Sequence, residues 1–211
     1  MKITILGAGN MGAAFAKQLT RAGHKVRIAA RSADKAKSVA AANPDAVAAP
    51  MGEALADSSI VIVATGYADA VPALYSLGSL AGKVIIDITN PLSADFSGLT
   101  VGHTTSAAEE IAKAVPGAEV VKAFNTVFAQ VLADGAGFAN GQTAPVFIAS
   151  DSERAKQTAT ELVKSIGFKP VDAGPLKNAR YLEPLAAFNI YLGYGAGHGT
   201  AIAPAWIRKA A

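Results

Sequence analysis

The sequence predicts an α/β fold, a doubly wound parallel sheet with a small C-terminal helical cap. Three observations predict it. Short apolar, β-branched runs alternate with helical stretches from the start of the chain to about Pro175. A glycine-rich turn joins the first such run to the first helix. At about Gly174-Pro175 the alternation gives way to a Gly-rich, helical tail. Strands alternating with helices pair in parallel with both faces covered, and right-handed crossovers then wind the sheet in both directions.

Lys2–Leu6 is the first strand, and an Ala-rich amphipathic helix follows as far as Ala22, where Gly23 terminates it. Lys25–Ala29 is the second strand. A polar helix over Lys35–Ala42 is broken by Asn43-Pro44. Ile60–Ala64, Lys83–Asp87 and Glu119–Ala123 are further apolar runs of strand length. Ser106–Val115 reads as a helix, since Ser106 and Glu109 have the S-x-x-E spacing of a capping box. Ser150 and Glu153 repeat that spacing ahead of a helix running to about Ile166.

Composition narrows the classes. Hydrophobic residues are 51% and charged residues 17% of the 211, enough for a large core with surface left to bury against a partner, most simply a second copy. Lys and Arg outnumber Asp and Glu by 19 to 16, an excess too small and scattered for nucleic acid. Without cysteine there is no disulfide, thiolate nucleophile, iron–sulfur cluster or Cys-ligated zinc, which suits a reducing cytoplasm. No metal site is expected. No secretory signal is expected either, because the apolar run after Lys2 ends at Gly7. Pro184–Ile207 carries no charge, but Asn189, Gly193, Gly195, Gly197, His198, Gly199 and Pro204 interrupt it. It reads as a buried cap or dimer surface, not a membrane span.

Gly7-Ala8-Gly9-Asn10-Met11-Gly12 is a G-x-G-x-x-G sequence between a strand and a helix, the context that makes this motif a dinucleotide fingerprint. Gly7 serves the tight turn, Gly9 the approach of a pyrophosphate, and Gly12 close packing of helix on strand. Free N–H groups at that helix end favour phosphate. The fold class is thus Rossmann-type.

An NAD site usually places a carboxylate at the end of the second strand. Here Arg31 and Ser32 follow Ile28-Ala29-Ala30, and no Asp or Glu occurs between Gly12 and Asp34. A 2′-phosphate needs cationic donors, which Arg31, Ser32 and Lys35 would supply. The cofactor is therefore expected to be NADP(H). Asp34 falls after this pair, in the first turn of the next helix, where a carboxylate suits the dipole.

Ligands in such sheets lie across the carboxyl ends of the strands. Those ends carry Ala64-Thr65-Gly66, Thr89-Asn90-Pro91 and Phe124-Asn125-Thr126, suited to a ribose and a nicotinamide carboxamide. There is no Tyr-x-x-x-Lys pair, and the three histidines do not cluster. His24 reads as structural and His103 as exposed, while His198 is a candidate to line a pocket. With no evident proton donor, the chemistry leans towards hydride transfer to a flavin-like ring, which depends on alignment of two rings.

The GAGNMG loop, Arg31-Ser32, Lys122-Ala123-Phe124-Asn125-Thr126, and Asp172-Ala173-Gly174-Pro175-Leu176 followed by Arg180 and Glu183 resemble the deazaflavin-dependent NADP oxidoreductases. The nucleotide domain of the six-transmembrane ferric reductases is similar too. The resemblance implies direct hydride transfer between C4 of NADP(H) and C5 of a deazaflavin coenzyme, in a homodimer. By position it implies that Asn10, Met11, Arg31, Ser32 and Lys35 hold NADP, and that Thr65, Asn90 and Asn125 border the nicotinamide. Gly197, Gly199 and Thr200 would wall the acceptor pocket beside Thr126. Asn125 stands where some deazaflavin enzymes have His, as it does in the ferric-reductase domains, so deazaflavin, FMN and FAD all stay open as acceptor. No transmembrane ferric-reductase part is expected here, so a flavin would serve a separate partner. Residues 1–176 are expected to form the NADP-binding domain, and 177–211 the cap, acceptor pocket and dimer contact. Two other readings stand beside this one. An imine or β-hydroxyacid reductase shares the N-terminal fold but uses a long helical second domain, whereas only residues 176–211 follow Pro175. A non-catalytic NADPH-binding sensor is the third.

Overall fold

The computed structural model describes residues 1–139, 141–206 and 209. The first half runs β1 (Lys2–Leu6), α1 (Asn10–Arg21), β2 (Lys25–Ala29), α2 (Ala33–Ala41), β3 (Ala46–Ala48), β4 (Ile60–Val63) and α3 (Tyr67–Tyr75). It continues with β5 (Val84–Asp87), α4 (Ala107–Ala114), β6 (Glu119–Lys122), α5 (Ala129–Asp134), β7 (Pro145–Ser150), α6 (Glu153–Ser165), β8 (Lys169–Asp172) and α7 (Ala179–Ile190). A wide π-type turn over Tyr191–Gly195 prolongs α7. The last part of the expected cap, Ile207, Arg208, Ala210 and Ala211, lies outside the described residues, as does Asn140.

All eight strands form one sheet in the order β3-β2-β1-β4-β5-β6-β7-β8. The order reverses at β1, which pairs with β2 on one side and β4 on the other, both parallel. β4 (IVIV) and β5 (VIID) are buried along their whole length, as strands covered on both faces must be. Two apolar layers result, one centred on Phe15, Leu19 and Phe124, the other on Leu74, Ile85 and Ile111.

An all-parallel sheet was expected, and here the structure differs. β7 runs antiparallel to β6, and β8 runs parallel to β7. The reason lies in the connection. A parallel crossover must carry the chain back along β6, roughly 13 Å for four residues. α5 has six residues and spans only about 9 Å, so it does not serve as such a crossover helix, and the chain enters β7 from the end it has just left. β3, β7 and β8 were not legible as strands. β3 is three residues long, and β8 contains Pro170, which an edge strand tolerates.

The second capping box is also corrected. Ser150 ends β7 and donates its hydroxyl hydrogen to the Val120 carbonyl at 2.7 Å, while Ser152 caps α6 by accepting from the Ala155 N–H at 3.1 Å. Ser106 does cap α4, accepting from the Glu109 N–H at 3.2 Å. His24 is structural: it lies 2.9 Å from the Met1 amine through Nδ1 and 2.8 Å from Ser165 Oγ through Nε2. Among the described residues no helix is long and apolar enough to cross a membrane.

Candidate functional site

The glycine loop closes against its neighbours with almost no clearance. Gly7 has φ +120°, and a Cβ there would stand 2.4 Å from the Ala64 carbonyl oxygen. A Cβ on Gly12 would stand 2.1 Å from the Gly7 carbonyl oxygen. Gly7 also donates its N–H to Ala29 at 2.8 Å, tying the loop to the end of β2. Gly9 differs: a Cβ there would meet no protein atom within 4 Å. It is the N-cap of α1, with no side-chain cap and no acidic residue in the first turn. The helix end therefore presents N–H groups and dipole to open space beside Asn10 and Met11.

At the end of β2, Arg31 has a 91% exposed side chain whose one ion-pair contact among the described residues, to Asp69, is a marginal 4.0 Å. Ser32 caps α2 by accepting from the Lys35 N–H at 3.3 Å, which leaves its hydroxyl hydrogen free to donate. Asp34 lies in the first turn of α2, as expected. Arg31, Ser32 and Lys35 are exposed together just after β2, the strand end to which Gly7 is tied, two cations with their charge almost unspent.

The ends of β4, β5 and β6 meet beyond this loop. Asn90 and Asn125 are locked face to face: the Asn90 amide donates to the Asn125 carbonyl at 2.9 Å, and the Asn125 amide returns a bond to Asn90 Oδ1 at 3.0 Å. Asn125 also donates to the Leu182 carbonyl at 2.9 Å, and Asn189 donates to that of Thr126 at 3.1 Å, so α7 clamps the β6 tip. Among the described residues, the buried side-chain polar atoms without a hydrogen-bond partner are Thr65 Oγ1, Thr89 Oγ1, Asn125 Oδ1 and Thr126 Oγ1. All four stand at these three tips. Buried polar groups normally find partners, so a cluster of orphans marks where a ligand or water completes them. Phe124 does not join them. It is 0% exposed and packs edge to face on Phe15 at 5.0 Å and Phe168 at 6.1 Å. Its side chain belongs to the scaffold, which leaves the expected cofactor contact to its backbone, and its φ of +60° turns the chain at the β6 tip.

Beneath the tips lies a fully buried charge cluster. The Lys122 ammonium is 2.8 Å from Asp87, 2.7 Å from Glu183 and 2.6 Å from the Thr89 carbonyl, and all three charged side chains are 0% exposed. Asp87 accepts the Thr89 N–H at 2.9 Å, so the cluster holds both backbone groups of the β5 tip. Glu183 also caps α4, accepting from the Ala107 and Ala108 N–H groups at 2.9 and 3.2 Å. Burial pushes the Glu183 carboxyl above the usual carboxylate range, against the pull of Lys122 and the Ala107 N–H. Arg180, one turn earlier, grips Glu109 through two bonds of 2.9 and 2.7 Å and holds that carboxyl low, with the Ser106 hydroxyl as a second donor. The Asp172–Glu183 segment is thus a clasp that pins α7 across α4 and β6.

Sequence reasoning missed this cluster. The available signal was a lysine and an aspartate at the ends of apolar strands, and Asp87 and Lys122 prove to be register partners. It also missed Tyr67, the half-buried first residue of α3. Burial and the carboxylates of Glu110, Glu183 and Asp87 raise the Tyr67 hydroxyl above its ordinary value. Of the expected acceptor wall, Thr126 is buried at the β6 tip, whereas Gly197, His198 and Gly199 are exposed and Thr200 is half-buried, on the turn after α7.

This geometry can be set beside known proteins. A family model described as NADP oxidoreductase, coenzyme F420-dependent, matches residues 2–91. The F420-dependent NADP reductase of Methanothermobacter marburgensis is 33% identical over 213 residues, spanning 91% of this chain and 92% of that protein. The chain belongs to this family of NADP-dependent oxidoreductases. Rat metalloreductase STEAP3 is 32% identical over 185 residues, but the chain spans only 36% of its length. A crystal structure described as a candidate F420-dependent NADP reductase from Arthrobacter sp. FB24 superposes with a TM-score of 0.86 at 31% identity, covering 95% of this chain and 96% of that one. A reductive aminase from Aspergillus terreus (24% identity, TM-score 0.67) shares the fold and extends beyond it, the match covering 62% of its chain.

The residues present fit the family's dinucleotide. An uncapped helix end with open space at Gly9 suits a pyrophosphate, and the unspent cations after β2 suit an added phosphate. The orphaned oxygens at the tips suit the amide and hydroxyl donors of a nicotinamide riboside.

Proposed function

We propose that this chain transfers hydride between NADPH and a deazaflavin coenzyme or a flavin, FMN or FAD. The observation that carries the reading is the chemical neutrality of the strand tips. Asp87, Lys122 and Glu183 are spent on one another out of reach of solvent, and the cleft above them is lined by hydroxyl and amide oxygens. Hydride transfer between two stacked rings requires alignment more than an acid or base.

In this reading Gly7, Gly9, Asn10, Met11 and Gly12 receive the pyrophosphate, and Arg31, Ser32 and Lys35 receive the 2′-phosphate. Ala64, Thr65, Gly66, Asn90, Pro91 and Asn125 border the nicotinamide. Thr126 with Gly197, His198, Gly199 and Thr200 borders the acceptor. Bound NADPH supplies the hydride. The Asn90–Asn125 pair fixes the floor on which the ring lies, and the α7 clasp keeps that floor rigid. Residues 1–176 would form the dinucleotide unit and 177–211 the cap. We further propose a homodimer in a reducing cytoplasm. An exposed aromatic stripe of Tyr181, Phe188, Tyr191 and Tyr194 along α7 and its turn supports the first, and the cysteine-free composition the second. A monomeric sedimentation profile at micromolar protein would remove the dimer.

One observation favours a second reading. Tyr67, half-buried at the start of α3 just beyond the β4 tip, offers a hydroxyl where a carbonyl or imine reductase needs a donor. The deciding assay follows NADPH absorbance with deazaflavin coenzyme, FMN, FAD, or small carbonyl and imine compounds. Turnover with a ring acceptor that survives Tyr67→Phe supports the first reading. Turnover only with carbonyls or imines, abolished by Tyr67→Phe, replaces it with the second. Binding of NADPH with no turnover points to a sensor.

A further inference from the structure

Beside the strand tips, α1, α5 and the turn after α7 enclose a groove of about 410 Å³, within the size range of small-molecule sites. Asn10, Ala13, Ala14 and Lys17 line one wall, spaced so that they share one face of α1. Its upper end opens at Asn10, beside the glycine loop, and Lys17 lies two turns down, about 10.5 Å away. Alanines of α1 and α5 make the floor, and Gln130, Tyr194 and Thr200 close the far side. α5 starts three residues after Thr126, so the groove leads away from the β6 tip.

Its polar groups have one character. Thr200 donates to Gln130 Oε1 at 2.6 Å, which turns the Gln130 amide so that its Nε2 hydrogens are the groups left to offer. Tyr194, braced edge-on against Phe128 at 5.8 Å, adds a hydroxyl. Lys17 forms no ion pair among the described residues. No carboxylate lines the groove. An unpaired ammonium with amide and hydroxyl donors on a small-residue floor selects an anion on a slender chain.

We propose that this groove binds the ribityl phosphate arm of the hydride acceptor, with Lys17 as its counter-charge. This rests on the ring-acceptor reading above. It deepens it, because the deazaflavin coenzyme, FMN and FAD share a ribityl chain ending in a phosphoryl group. The ring lies over the nicotinamide at the β6 tip, and the arm runs down between α1 and α5.

The test uses two matched ligand pairs: FMN against riboflavin, and the deazaflavin coenzyme against its dephosphorylated riboside. Ligand fluorescence gives dissociation constants for the full chain saturated with NADP⁺. The wild type is expected to prefer the phosphorylated member of at least one pair by about tenfold at low salt, a preference that salt weakens. The pair that shows it identifies the source of the arm. Lys17→Ala should erase the preference, Lys17→Arg restore it, and affinity for NADP⁺ and for the dephosphorylated ring stay as in the wild type. Equal affinity within both pairs, a preference that survives Lys17→Ala, or a parallel loss of NADP⁺ affinity would overturn the groove assignment while leaving the ring-acceptor reading intact. Failure of the wild type to bind any of the four would overturn that reading, and the groove assignment with it.

Discussion

Replacing Lys122 with methionine removes the cation from the buried cluster and leaves the Asp87 and Glu183 carboxylates, both 0% exposed, on either side of an apolar chain. Methionine roughly keeps the volume, so the loss is electrostatic. Breaking a buried pair by removing one partner costs about 3–5 kcal/mol, because the survivor is left uncompensated. Total stability in folded domains is about 5–15 kcal/mol. In a domain of this size each kcal/mol moves the melting temperature by about 2–4 °C, so a fall of about 6–20 °C is expected. The pH dependence has a definite sign. Without Lys122 one carboxylate must take up a proton to stay buried, so the folded state holds a proton that the unfolded chain releases. Stability then falls as pH rises, and the deficit should be larger at about pH 8 than at about pH 5. Melting followed by circular dichroism at both pH values reads this directly. Neutralising the neighbours, as Asp87→Asn and Glu183→Gln on the Lys122→Met background, should recover part of the loss. A single variant that melts within about 2 °C of the wild type at about pH 8, or whose deficit grows on acidification, would refute the reasoning.

Arg31→Ala should weaken NADPH by about 10–100-fold and NADH far less, since bonds to a charged phosphate are worth about 1.5–3 kcal/mol; equal losses in parallel titrations would sink the 2′-phosphate assignment. Gly12→Ala forces a methyl to within 2.1 Å of the Gly7 carbonyl and should cost about 1–3 kcal/mol of stability, along with most NADPH affinity, both readable by melting with and without cofactor. His24 is buried, and desolvation with the nearby Met1 ammonium lowers its pKa below the usual 6.5. Below that value the unfolded chain binds more protons, so stability should fall as pH drops through the His24 value, and His24→Gln should flatten this limb of a urea-titration series.

How far the sequence was legible follows from how local each signal is. The strands β1, β2, β4, β5 and β6 declared themselves because a buried parallel strand is a continuous apolar run. The glycine loop did so because Gly7 and Gly12 answer steric demands from Ala64 and from Gly7 itself, while Gly9 leaves open space. Arg31, Ser32 and Lys35 were legible because they lie within five consecutive residues at the end of one strand. What stayed hidden was relational. Lys122 is one charge in an apolar strand until register places it beside Asp87 and topology lowers Glu183 onto it from 61 residues downstream. Phe124 directly precedes Asn125 and Thr126 at the strand tip, and only its left-handed backbone reveals that the side chain turns inward. β7 runs antiparallel to β6 after the short α5, a direction that hydrophobic periodicity does not encode.

The distribution of charge along the cleft bears on how such a site divides its work. Unspent cations stand beyond β2, the proposed adenosine end, while the charges nearest the proposed nicotinamide end are buried beneath the surface, two carboxylates around one ammonium. An interaction with the 2′-phosphate is the same before, during and after hydride transfer, because that group does not change. It adds to affinity for oxidised and reduced cofactor alike and leaves the barrier alone. At the other end the nicotinamide changes its charge by one unit as hydride leaves or arrives. A fixed ion facing the ring would favour one redox state and drag the equilibrium. Hydroxyl and amide oxygens held by Asn90, Asn125 and the α7 clasp carry no net charge and, in the proposed transfer, would fix the plane of the ring with far less bias. Burying Asp87, Lys122 and Glu183 together therefore does more than join α7 to the sheet. It gives the β5 tip the rigidity of an ionic anchor while leaving hydroxyl and amide oxygens to line the cleft above it.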